Sequence, residues 1–231
     1  MTRQLRQRGS IAGRGQAGIS LVELLVAMSI LSIVTTMILV SWFALQDSYS
    51  MTVRSDNAQT DARFAMSRMV RELRDAQALP GASVIEAVVR DVPGKVEYVQ
   101  FWTKFNHPNR LLLTRFEFSW TTNAVTGLNE GAIYRILDSD GNGIDNVDRQ
   151  DAMLILAHVV NRDATSVFAY TTMTAYGDPL ISPPSPLPSS SAQLATIAAV
   201  QIRLMVDLNP GKSPTYMDLR STAQLRNTRQ F

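Results

Sequence analysis

The sequence predicts an α+β fold in which a long amino-terminal helix packs against a carboxy-terminal antiparallel β-sheet. Three observations predict this fold: an uncharged apolar run from Leu24 to Leu45, an apolar repeat every three or four residues after it, and a change to a period of two beyond residue 80. A helical region followed by a series of strands is typical of α+β proteins with an antiparallel sheet.

The composition excludes several classes of protein. Of the 231 residues, 45% are hydrophobic and 18% are charged, so the chain can bury a core. It has no cysteine, which excludes disulfides, thiolate metal sites and thiol nucleophiles. Four of the 22 basic residues lie before residue 19, where there is no acidic residue, so the net charge of +2 depends on that segment. The charge therefore gives little support to nucleic-acid binding, which we do not expect.

The uncharged run Leu24–Leu45 is long enough to cross a membrane. Its 22 residues would form a helix about 33 Å long, and a bilayer core is about 30 Å thick. The four arginines before it favour a cytoplasmic amino terminus. A cleaved secretory signal has a shorter apolar core and a small-residue cleavage site, whereas this run ends with Trp42 and Phe43. We expect a retained single-pass segment and an extracytoplasmic domain after it.

The helix is predicted to continue as an amphipathic segment as far as Leu79. Alanine, methionine and leucine recur at helical spacing between Ala58 and Ala76, and Pro80-Gly81 ends the pattern. Charged residues surround this apolar stripe, with Arg68 and Glu72 one turn apart. The predicted organisation is a basic leader at 1–18, a transmembrane helix at 19–45, an amphipathic continuation at 46–79 and a β-rich globular domain at 80–231.

Seven strands are predicted in the globular domain, from runs in which β-branched and aromatic residues alternate with polar ones. They are Val84–Val92, Lys95–Thr103, Leu111–Trp120, Ala132–Leu137, Ser166–Thr172, Ala199–Leu208 and Tyr216–Leu225. The proline- and serine-rich segment Gly177–Ser191 predicts an exposed loop.

The stretch "GISLVE" (Gly18–Glu23), followed by the apolar "LLVA", resembles the class III signal of type IV pilins and pseudopilins. The resemblance implies that an aspartyl prepilin peptidase cleaves after Gly18 and methylates the new amino terminus at Ile19. It also implies that Glu23, the fifth residue of the mature chain, neutralises the amino terminus of a neighbouring subunit during assembly. A buried charge is costly alone and tolerated when paired. Phenylalanine is more frequent in the family at the position of Ile19, which is a tolerated departure.

Three further segments are similar to J-type minor pseudopilins and PilW-type minor pilins: Asp61–Ala76, Val167–Leu180 and Leu219–Asn227. The resemblance implies a minor structural subunit that helps to initiate or cap a filament. Its partners would be other major and minor pilins or pseudopilins, the prepilin peptidase and the inner-membrane assembly platform. The chain would begin as an inner-membrane precursor and end with its globular domain in the filament.

Two questions stay open at the level of the sequence. A type IV pilus and a type II secretion pseudopilus use the same signal, so the resemblance does not choose between them. The alternative function is a single-pass anchored, exported binding domain that is stabilised by calcium and takes no part in a filament.

One loop has the pattern of a calcium site. Asp138, Asp140 and Asn142 alternate along it, and Ca²⁺ takes about six to eight oxygen ligands in a tight turn of this kind. Because Arg149 occupies the place of the usual bidentate acid, Asp145 or Asp148 would have to complete the site. The other interpretation is a solvated turn, for which Asp, Gly and Asn are the ordinary residues.

The sequence has no recognisable catalytic motif. His107 and His158 have no cysteine partners and lie in neither an HExxH nor a GxSxG context. His158, in the apolar "ILAHVV", fits a strand residue better than a ligand. We therefore expect no enzymatic activity.

Overall fold

The computed structural model describes residues 20–79, 82–90, 96–105, 107, 109–122, 129–161, 165–172, 190–209 and 216–225. The chain divides into two compact units, and the boundary lies between Ser50 and Met51. A single helix, α1 (Leu21–Arg74), contributes residues to both units.

The first unit consists of the apolar part of α1. Its large apolar side chains from Leu21 to Leu45 are between 46% and 78% exposed, and the helix is long and apolar enough to cross a membrane. Its hydroxyl groups bond within the helix, since Ser29 and Thr36 each donate to the carbonyl four residues earlier at 2.8 Å. Such bonding suits a helix in lipid, where water offers no alternative partner.

The second unit contains an eight-stranded antiparallel sheet. In the part of the chain that the structure describes, the order is β1-β2-β3-β4-β5-β7-β6, and β8 pairs with β7. The α+β architecture predicted from the sequence is therefore confirmed. The strands are β1 (Ile85–Arg90), β2 (Val96–Thr103), β3 (Leu112–Thr122), β4 (Asn129–Leu137), β5 (Met153–Val159), β6 (Phe168–Thr172), β7 (Ile197–Asp207) and β8 (Tyr216–Gln224), and the short helices are α2 (Asn146–Gln150) and α3 (Ser191–Leu194).

The seven predicted strands are confirmed to within a few residues at their ends, and the eighth, β5, was missed. Its sequence, "MLILAHV", is almost uniformly apolar and lacks the alternation that marks a half-buried strand. The prediction that His158 lies in a strand is confirmed. The predicted loop Gly177–Ser191 ends too late, because Ser190 caps α3 and Ser191 is its first residue; residues 177–189 lie outside the described residues.

The core of the second unit lies between the outer half of α1 and one face of the sheet. Ala62, Ala65, Met69 and Leu73 are completely buried on α1. The fully buried sheet residues include Phe101, Phe116, Ile133, Val200 and Ile202. The apolar stripe predicted for the amphipathic helix is thus the face that packs on the sheet.

The sheet is closely packed where β4 meets β5. A Cβ atom on Gly131 would lie 2.4 Å from the carbonyl oxygen of Val159 and 2.5 Å from Cε2 of Phe118. Only glycine fits this position without displacing the neighbouring backbone.

The helix ends earlier than predicted. The sequence favoured Leu79 as its last residue, but α1 ends at Arg74. Beyond it, Ala76 forms a β-bridge with Thr103, and the N–H of Gln77 donates to the carbonyl of Trp102 at 2.9 Å. The chain pairs with the end of β2 before Pro80 is reached, so the non-local pairing decides where the helix stops.

Candidate functional site

The first turn of α1 carries the predicted assembly residue, Glu23. The N–H of Leu24 donates to the carbonyl of Ser20 at 3.0 Å, so the helix begins directly after Ser20. An acidic residue in the first turn interacts favourably with the helix dipole. Ser20 and Glu23 also have the spacing of a capping box, a signal that the sequence analysis missed. Gly18 and Ile19 lie outside the described residues.

Glu23 has no charged neighbour along the apolar helix. It is exposed, and no charged residue occurs between Glu23 and Asp47. In an apolar environment an unpaired carboxylate is costly, and a cationic partner removes most of that cost. The arrangement therefore favours contact with a positive group from outside this segment.

The loop after β4 brings three of the five predicted calcium ligands together. One carboxylate oxygen each from Asp138, Asp140 and Asp148 lie within 4.8 Å of one another. Asp138 and Asp148 are only 2% and 5% exposed. Carboxylates this close repel one another, and a hard divalent cation with oxygen ligands is the ion that they could hold.

The other two predicted ligands have hydrogen-bonding roles. Asp145 is the N-cap of α2, and its side chain accepts from the N–H groups of Val147 at 2.7 Å and Asp148 at 3.2 Å. The Asn142 side-chain amide donates to Asp140 at 2.7 Å. Of the two acids that the sequence left open, Asp148 lies with Asp138 and Asp140, and Asp145 does not belong to that cluster.

Two glycines give the loop its shape. Gly141 and Gly143 have φ angles of +85° and +99°, a conformation that glycine adopts at little cost. This conformation lets the two carboxylate oxygens of Asp138 accept from the N–H of Gly141 at 2.6 Å and of Gly143 at 3.1 Å. The Asp138 carboxylate is therefore fixed by the backbone of its own loop.

Arg149, the residue that broke the calcium-loop pattern, binds elsewhere. Its guanidinium forms an ion pair with Glu117 on β3 at 3.0 Å. This contact joins α2 to the sheet, so the residue has a structural role next to the acidic loop.

A family comparison identifies the amino-terminal segment. A model of the prokaryotic N-terminal methylation motif matches residues 13–39, a range that includes Gly18, Ile19 and Glu23. This match supports the resemblance of the amino-terminal segment to precursors of type IV pilins and pseudopilins. No curated protein and no solved structure gave a significant match to it. The motif and the apolar helix together support a membrane-anchored precursor.

A buried ion pair joins α1 to the sheet, and it was not predicted from the sequence. Glu72 is completely buried. It accepts from Nε of Arg135 on β4 at 2.7 Å and from Nε of Arg68 at 3.1 Å. The prediction that Glu72 lies among the charged residues around the apolar stripe is wrong. Two signals were available: Glu72 lies three residues after Met69 and seven after Ala65, and Arg135 shares a face of β4 with Ile133.

A second buried acid, Glu97, holds the start of β6. Glu97 on β2 is 7% exposed, and its carboxylate accepts from the N–H groups of Val167 at 3.0 Å and Phe168 at 2.8 Å. It also accepts from the Ser166 hydroxyl. Since β2 and β6 are not neighbours in the sheet, this side chain is a cross-link between them.

The outer face of β7 and β8 carries a compact charge cluster. Asp218 forms ion pairs with Arg203 at 2.8 Å and Arg220 at 2.9 Å. Hydrogen bonds from Arg203 and then Arg220 lower the pKa of the Asp218 carboxyl to about 2. Asp218 is therefore ionised at any physiological pH, and the cluster is a fixed structural feature.

The two histidines lie on different elements. His107 is in the exposed turn after β2, and His158 is a half-buried residue of β5. Neither belongs to the acidic cluster found among the described residues.

Proposed function

We propose that the chain is a minor pilin or pseudopilin, a structural subunit that helps to initiate or cap a type IV pilus or a type II secretion pseudopilus. The methylation motif at residues 13–39 is the observation that carries this proposal. Supporting it, Glu23 stands alone at the start of an uncharged helix whose apolar side chains are exposed. Such a helix needs lipid or other subunits around it.

In the proposed mechanism, prepilin peptidase cuts the precursor after Gly18 and methylates the amino group of Ile19. The positive terminus then lies four residues before its own Glu23, in apolar surroundings. Glu23 pairs with the terminus of a neighbouring subunit, and the exposed apolar helix packs among the helices of the filament. Because each charge is costly until it is paired, the pairing selects the correct position of an incoming subunit.

The proposal also specifies location and partners. The precursor spans the inner membrane once, with residues 1–18 in the cytoplasm and the globular domain outside it. Major and minor pilins or pseudopilins, the prepilin peptidase and the assembly platform are the partners. The chain is a subunit that other proteins move, and we assign no catalytic residue to it.

Cleavage is tested by the intact mass and amino-terminal sequence of the membrane-extracted chain, produced with and without prepilin peptidase. We expect a chain that begins at Ile19 and carries one added methyl group only when the peptidase is present. Gly18→Leu should block this cleavage, whereas Gly15→Leu, a matched change in the same leader, should leave it intact. A chain that keeps its leader in the presence of the peptidase would contradict the proposal and favour the anchored binding domain.

We also propose that Asp138, Asp140 and Asp148 bind Ca²⁺, with Asn142 and Asp145 close enough in the sequence to contribute an oxygen or a bridging water. The support is the proximity of the three carboxylates, two of them buried. An extracytoplasmic loop meets calcium at about 10⁻³ M, which suits the affinity of extracellular modules.

Thermal unfolding of the full chain in detergent, with calcium or with chelator, tests this second proposal. We expect calcium at about ten times Kd to stabilise the globular unit by about 1.4 kcal/mol. Asp140→Ala should remove the effect without unfolding the chain, because Asp140 is exposed. Asp151→Ala, an exposed acid just after α2, serves as the control. Unchanged unfolding at millimolar calcium would mean that the loop is only a solvated turn.

A further inference from the structure

A groove of about 640 Å³ opens on the globular unit between α1 and the strands β5 and β7. All of its lining residues belong to the second compact unit. One side is formed by α1, including Asp61 and Phe64; the other by Leu154–His158 of β5 and by residues 206–209 at the end of β7. Ligand clefts in proteins have volumes of about 300–1,000 Å³, so the groove is large enough to hold one.

The groove follows the backbone edge of β5. Successive side chains of a strand point to opposite faces, yet five consecutive residues, Leu154–His158, line the groove. The pairing of β5 with β7 is confined to its end, where Val159 faces Val206 and the N–H of Val160 donates to Met205 at 2.7 Å. From Met153 to Ala157, β5 has no strand partner on this edge among the described residues.

Two irregularities in β5 open this edge. Gly131 and Ile133 of β4 are two residues apart, but their partners Val159 and Leu156 are three apart. A second extra residue follows, between Leu156 and Leu154. His158, in the first bulge, has a φ of +57°, which is uncommon for a residue other than glycine. Bulges bend the strand that contains them, and here β5 diverges from β7.

The walls of the groove combine apolar surface with one buried polar group. Phe64 is 68% exposed and Leu154 is 51% exposed. Exposed apolar surface of this kind is typical of interaction sites. Asn209 is 5% exposed, and its side-chain nitrogen has no hydrogen-bond partner among the described residues. An unsatisfied buried donor costs about 1–3 kcal/mol, and a carbonyl oxygen that entered the groove would satisfy it.

The charged residues of the groove favour a basic partner. Asp61 and Asp207 outnumber Arg54, and none of the three belongs to an ion pair between described residues. A segment that carries lysine or arginine complements this surface.

We propose that the groove binds an extended peptide segment of a partner protein as an added strand. The segment forms main-chain hydrogen bonds with β5 between Met153 and Ala157, as in other cases of strand addition to a free sheet edge. Its alternate apolar side chains contact Phe64 and Leu154, and a basic side chain lies near Asp61. The proposal does not depend on cleavage or filament assembly, because it uses only the globular unit.

The test is a selection of displayed random peptides of about ten residues, a long strand, on the full detergent-solubilised chain. We expect the selected peptides to alternate apolar and polar residues and to contain a basic one. Their affinity should fall at least about tenfold, or about 1.4 kcal/mol, for Leu154→Glu. It should be unchanged for Val147→Glu, a control that is 65% exposed and does not line the groove. Equal unfolding temperatures would show that both variants are folded.

Backbone methylation of a selected peptide separates strand addition from other modes of binding. N-methyl groups on alternate residues block one edge of a strand only, so one of the two methylated peptides should lose binding and the other should keep it. Bound peptide should also slow amide hydrogen exchange in β5 between Met153 and Ala157. The proposal would be overturned if both methylated peptides lost binding equally, or if the selected peptides had apolar residues at helical spacing. It would also be overturned if the peptides bound both protein variants equally, or if no peptide were selected.

Discussion

Replacing Glu72 by alanine is expected to lower the free energy of unfolding of the globular unit by about 3–5 kcal/mol. The carboxylate is completely buried between α1 and β4, at 2.7 Å from Arg135 and 3.1 Å from Arg68. Its loss leaves the 6% exposed guanidinium of Arg135 without an acid. Nη2 of Arg135 already has no partner among the described residues, so Glu72 is what makes the burial of this cation tolerable.

Urea unfolding of the full chain in detergent, followed by tryptophan fluorescence, measures the effect of Glu72→Ala. Asp56→Ala is the matched control, since it removes an exposed acid from the same helix and should change stability by no more than about 0.5 kcal/mol. A double variant, Glu72→Leu with Arg135→Met, should recover most of the lost stability, because apolar residues can replace a buried pair. A loss below about 1 kcal/mol for Glu72→Ala would show that the guanidinium finds another acceptor or water.

The second large effect is expected at Glu23, and it concerns assembly instead of stability. Glu23→Ala should be cleaved after Gly18 as usual but should enter filaments at least about tenfold less often, equivalent to about 1.4 kcal/mol. The reason is that the variant leaves the positive amino terminus of its neighbour without a partner in apolar surroundings. Since Glu23 lies in the first compact unit, the unfolding temperature of the globular unit should not change.

The amount of chain in sheared filaments, relative to processed chain in the membrane, measures this assembly defect. Glu23→Gln keeps the shape and loses the charge, so it should behave like the alanine variant. Glu23→Asp keeps the charge and should retain part of the incorporation into filaments. Normal incorporation of the two uncharged variants would contradict the pairing role, even if cleavage after Gly18 is established.

Local pattern was enough to predict the fold class and the long apolar helix. The uncharged run that follows Glu23 is contiguous in the sequence, and so is the run Leu111–Trp120, where the structure has the strand β3 (Leu112–Thr122). The acidic loop is an intermediate case. The alternation of Asp138 and Asp140 is visible in the sequence. The position of Asp148 beside them depends on the capping box that begins α2.

The features that were missed depend on residues far apart in the chain. Burial of Glu72 follows from a contact with Arg135, 63 residues later. The end of α1 at Arg74 follows from the bridge between Ala76 and Thr103. The groove exists because β5 is bulged against β4 and separates from β7. Periodicity reports which face of an element is buried, but it does not report which residue of another element lies opposite that face.

The alanine-rich stripe of α1 has a mechanical consequence. Ala62 and Ala65 project little from the helix, so in this part of the interface mainly Met69 and Leu73 resist sliding along the helix axis through apolar contacts. Glu72 and Arg135 form an oriented contact across that interface, since two charges at 2.7 Å cannot be displaced by a helical turn of about 5.4 Å without separating. A pull along α1 within the globular unit would therefore load this ion pair directly, so Glu72 helps to fix the axial position of the helix.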